Sequence, residues 1–165
     1  MNNTLESQRI SVIDSELLRE HWQGHRRLTR RAIEAFPEKD LFTFSIGGMR
    51  PFGEMMIELL MMAGATAKGI ATGTWNEFEE EGPQGMSRTK EELLRLWDSE
   101  TQEIDKYWPQ ISEERFKAVD KAFNIYEYAN YNTILYAIDN EIHHRGQGYV
   151  YLRALGIEPP SFWER

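Results

Sequence analysis

The chain has 165 residues, with 27 acidic against 19 basic side chains, a net charge of −8 and no cysteine. That length suits a single domain over residues 1–165 whose core can stand without crosslinks. The missing cysteines exclude disulfides, thiolate metal sites and cysteine nucleophiles, and the acidic balance opposes nucleic-acid binding.

The N-terminus, MNNTLESQRISVIDSELLREH, lacks the basic start and apolar core of a secretory signal. No apolar run reads as long enough for a membrane span. A soluble cytoplasmic protein with neither membrane nor nucleic-acid partner is the expectation.

The first helical period runs from about Ser15 to Phe36, with Asp14 as its N-cap and Pro37 as its stop. On a helical wheel Leu17, Leu18, His21, His25, Leu28, Ala32 and Phe36 share one face, so both histidines are expected to look inward. Arg19, Arg26, Arg27, Arg30 and Arg31 then read as a solvated face.

The second period starts near Pro51, a residue suited to the first helical position, and continues through FGEMMIELLMMAGATAKGI to Gly69 and Gly73. Between Met55 and Ala67 it is apolar almost all round, broken mainly by Glu58 and Thr66, and must be covered on more than one side. A second subunit is expected to supply part of that cover, which predicts a homodimer.

The third opens at Thr89, where TKEE forms a capping box with Glu92, and its stripe of Leu93, Trp97, Thr101, Ile104 and Trp108 ends at Pro109. The connections on either side, NEFEEEGPQGMSR and QISEERFKAVDKAFNIYEY, are long enough to cross the molecule, which favours an up-down-down-up order.

The fourth period runs from about Tyr128 to Leu155 and is ended by Gly156. Thr133, Ala137, Asn140, His144, Gly148, Tyr151 and Leu155 share a face, while His143 points away beside Tyr136 and Gln147. Arg145 has Glu141 one turn earlier as an ion-pair partner, Gly146 and Gly148 permit close helix packing, and the tyrosines at 126, 128, 131 and 136 read as packing. Four such periods make an all-α four-helix bundle.

Glu58, Asn140 and His144, with His21 and His25, are the polar side chains that such a bundle can gather. Asn140 and His144 are four residues apart, as are His21 and His25, so each pair stands one above the other. His25 and His144 each lie eleven residues before a helix end and Glu58 seven after a helix start, which sets all three at similar depth. Imidazole and carboxylate suit zinc, nickel, iron or manganese, whereas an amide is a poor zinc ligand. An ionised Glu58 on an apolar helix needs a cation, a donor network or a raised pKa, and Arg145 or His144 are its candidate partners. No phosphate loop, nucleophile elbow or dinucleotide fingerprint is present.

The segments NEIHHRGQGYVYLRALGIEPP and RPFGEMMIELLMMAGATAKGI, with an N-terminal helix leading into EAFPEKDLFTF, resemble the DinB-like proteins, grouped with the YfiT-type metal-dependent hydrolases. The resemblance covers nearly the whole chain, and HRGQ late in the last helix is its most specific part. It implies an up-down-down-up four-helix bundle, commonly dimeric, with a divalent metal held by one histidine of the second long helix and an HxxxH pair on the last. Some relatives join low-molecular-weight thiols to electrophiles or isomerise maleylpyruvate. The family name refers to damage-inducible expression and implies no contact with DNA.

Carried over to this chain, the second histidine of the pair falls on His144, the first on Asn140, and the remaining ligand position on Glu58. The expectation is therefore a small-molecule pocket at Glu58, Asn140 and His144, belonging to a divergent metal-dependent hydrolase or thiol transferase whose divalent metal (Mn, Fe, Ni or Zn) is weakened or absent. In an active enzyme Glu58 or His144 would move the proton. His21, His25, Arg145 and Tyr151 are the secondary pocket candidates. The rival expectation is a non-catalytic bundle for a ligand or partner, in which the polar residues form a hydrogen-bond network.

Overall fold

The computed structural model describes residues 13–77 and 82–165. Residues 1–12 of the stretch read for a secretory signal, and residues 78–81 of the connection NEFEEEGPQGMSR, lie outside that range. Asp14 accepts from Leu17 N and starts helix α1, Ser15–Ala35; the short α2, Glu38–Leu41, follows Pro37. Pro51 caps α3, Phe52–Thr72, which Gly73 ends in the left-handed conformation that glycine adopts without strain. Thr89 accepts from Glu92 N at the start of α4, Lys90–Tyr107, but the Glu92 side chain pairs with Arg95, so only one leg of the expected capping box forms. A single 3-10 turn at Trp108–Gln110 and the short α5, Glu113–Lys117, lead to the last long helix, α6, over Asn130–Ala154.

Between α5 and α6 stands an element the helical reading missed. Strands β1, Val119–Ala122, and β2, Tyr126–Ala129, pair antiparallel with Val119 opposite Ala129 and Ala122 opposite Tyr126. The stretch read as a crossover is thus a hairpin in an otherwise helical chain. Its root is tied down by Asp120, which accepts from Trp75 Nε1 at 3.1 Å and Asn130 Nδ2 at 3.2 Å and pairs with Arg115.

The four long helices pack as a ring in which α1 and α3 each touch both α4 and α6. Two apolar clusters fill it. One holds Ile33, Phe36, Phe52, Met56, Trp97 and Tyr151; the other holds Trp22, Ala67, Ile70, Ile104, Trp108 and Ile134. Helices α1 and α6 pass from the second cluster to the first along the chain, while α3 and α4 pass from the first to the second.

Three expectations change here. By length and composition α3 is apolar enough to cross a membrane, contrary to the reading of the bare sequence, yet 67% of its most apolar window is buried within the fold. Helices α4 and α6 pack on it and Met62 lies against Phe123 of the hairpin, so its apolar girth is met within one chain and no longer argues for a second subunit. The inward face of α1 is turned toward Trp22, Arg26 and Ile33, which leaves His21 exposed and puts Arg26, expected in solvent, at 1% exposure.

Candidate functional site

The i, i+4 spacing of Asn140 and His144 aims both side chains from α6 at Glu58 on α3, as their helical phase demands. Asn140 Nδ2 donates to Glu58 Oε1 at 2.9 Å, and His144 Nε2 lies 3.4 Å from the same oxygen. Glu58 Oε2 is taken by the guanidinium of Arg50, a residue just ahead of α3 that the sequence reading passed over. Tyr151 O–H donates to the Arg50 carbonyl at 3.0 Å and so fixes that stretch without lining the cavity itself. The His144 bond, opposed by burial and helped by Asn140 and Arg50, holds the Glu58 carboxyl down at about 2, against an ordinary 4.5.

His144 Nδ1 lies 3.0 Å from Gln147 Oε1, and Gln147 Nε2 lies 3.4 Å from His143 Nε2. Both ring nitrogens of His144 are therefore engaged. Gln147, expected only to brace α6 against its neighbours, instead orients this ring.

His25 and Arg145 do not join Glu58. They stand at a similar depth but on the other side of α6, because α1 and α3 occupy opposite places in the ring. Arg145 donates to Thr29 Oγ1 at 2.9 Å and to His25 Nδ1 at 2.9 Å, and it approaches Glu141 at 3.9 Å. Arg165 Nη1 lies 3.1 Å from His25 Nε2. Burial, followed by the Arg145 charge, pushes the His25 pKa down to about 3, so this ring is neutral. His21 is exposed and touches His25 edge to face, with ring centroids 4.7 Å apart.

Two adjoining cavities, each of about 330 Å³, lie under the hairpin; Glu58 lines one of them, whereas Asn140 and His144, expected in the pocket, line neither and reach it only through Glu58. The cavities share Met62, Phe123, Tyr126 and Tyr136 as walls; one reaches Arg50 and Glu58, the other Asn132 and Thr133. The tyrosines expected as packing are half-exposed and face open space. Phe123 and Asn124 at the hairpin tip have φ of 52° and 59°, a costly conformation for a bulky phenylalanine. It seats the Phe123 ring 5.3 Å from that of Trp75 and against Met62. A signal for this hairpin was present in FNIYEY, where Asn124 favours a turn ahead of β-prone Ile125 and Tyr126.

The residues present fit a divalent metal poorly. Glu58 spends one oxygen on a guanidinium and the other on an amide N–H, leaving His144 as the sole remaining ligand of choice. Among the described residues no group of three His, Cys, Asp or Glu side chains is gathered for an ion.

The model of the DinB family matches residues 1–165. No curated protein matches the chain. Among solved structures, a DinB-like protein from Bacillus subtilis is similar with a TM-score of 0.71 and 19% identity, covering 90% of this chain and 99% of its own. A DinB-like protein from Bacillus cereus has a TM-score of 0.68 and 14% identity, covering 90% of this chain and 97% of its own. At such identities these neighbours speak for the fold.

Proposed function

Because the chain belongs to the DinB family, we propose that it is a small-molecule-binding member in which a hydrogen-bonded network of Arg50, Glu58, Asn140 and His144 stands at the family's metal position. The family match and the order in which the helices cross the two core clusters support an up-down-down-up bundle beneath it.

The carrying observation is the satisfied state of Glu58, whose carboxylate accepts from the Arg50 guanidinium and the Asn140 amide and lies against the His144 ring. A carboxylate held near 2 is a weak base at neutral pH, and a histidine with both nitrogens engaged has none turned to the cavity. Binding rather than turnover is what this arrangement favours.

Calorimetric titration of chelated protein with manganese, iron(II), nickel and zinc tests the reading. The expected result is no stoichiometric uptake. Stoichiometric uptake that disappears in both Glu58→Ala and His144→Ala would overturn it in favour of a rebuilt metal centre.

A further inference from the structure

We propose that the two cavities under the hairpin are one slot for a small carboxylate with a flat apolar ring system, its acid group on Arg50. This rests on the reading of the site as a binding pocket. Two independent features support it.

The first is the unspent donor capacity of Arg50. A guanidinium carries five N–H donors in a planar fork, and among the described residues the Arg50 side chain engages only Glu58. Glu58, by contrast, has donors on both oxygens. The Arg50 side chain is half-exposed, so its remaining donors face water, which a ligand carboxylate entering the cavity would displace in bidentate geometry.

The second is the wall that leads away from Arg50. Tyr126 and Tyr136 set their rings 6.4 Å apart at a tilt of 35°, with Met62 and Phe123 completing an apolar passage. Aromatic faces and a thioether suit a flat ring rather than a branched or sugar-like body. Each cavity falls within the usual range for small-ligand sites.

The test uses 8-anilinonaphthalene-1-sulfonate as a fluorescent aromatic anion on metal-free full-length protein, displaced by indole-3-acetate, tryptamine or 3-methylindole. These share a ring and differ in charge. Indole-3-acetate is expected to displace the probe at concentrations about tenfold lower than the other two, and Arg50→Gln to abolish that preference. Circular dichroism checks that Arg50→Gln folds. Equal displacement by all three indoles, or a preference that survives Arg50→Gln, overturns the proposal. That failure differs from failure of the binding-pocket reading, which shows itself as metal uptake in the calorimeter whatever the indoles do.

Discussion

Glu58 shows how one side chain couples the site to stability. Its folded pKa of about 2 lies below the ordinary 4.5, so its stabilisation is fully present above about pH 5 and is lost as pH falls toward 2. The ceiling on that contribution is about 3 kcal/mol. Denaturant unfolding of the native chain and Glu58→Gln between pH 7 and pH 3 should show a stability gap that closes on acidification. A gap that stays constant with pH would mean the carboxylate charge is not what its neighbours hold. Glu58 and His144 could be paired from helical phase and depth alone, which is why the sequence brings them together. Arg50 could not, because it precedes the helix and no periodicity places a loop residue.

At the scale of elements, α6 carries two glycines that look alike in sequence and differ in surroundings. A Cβ on Gly148 would overlap the Phe52 ring, whereas nothing lies within 4 Å of one on Gly146. Gly148→Ala is therefore expected to destabilise by about 1–3 kcal/mol through overpacking. Gly146→Ala should be neutral or stabilising by up to about 1 kcal/mol through helix propensity. Thermal unfolding of the two variants decides, and equal shifts would contradict the packing drawn here. The caps of the long helices were legible because Asp14, Thr89 and Gly156 act locally. The hairpin offered only its turn signal at Asn124, since Val119, Tyr126 and Tyr128 stay exposed and no burial alternation marks the strands. The rotation of α1 escaped for a different reason: Arg26 reads as solvated until a carboxylate from another helix is known to face it.

For the whole molecule, the charged cluster in the middle of the bundle is decisive. Arg26 of α1 donates to Thr101 Oγ1 at 3.0 Å and to the Trp97 carbonyl at 3.2 Å on α4. It lies 3.4 Å over the Trp97 ring and 3.6 Å from Glu141 of α6. Removing one member strands the other in the core. Arg26→Met and Glu141→Leu are each expected to cost about 3–5 kcal/mol, and the double variant much less than their sum. A double-mutant cycle by denaturant unfolding measures this, and strict additivity would show that the charges do not sense each other.

Residues 140 and 144 of α6 hold Glu58 at the cavity, while residues 141 and 145, one step further round, serve the core with α1. The two rows cannot drift apart, because they share a backbone. Insertion or deletion of one residue in this helix would rotate both by a quarter turn or more and damage recognition and folding together. Exchange of side chains at 58, 140 and 144 keeps the register of both rows. A lineage built on this helix can therefore change what it binds by substitution, but it has almost no freedom to change by length.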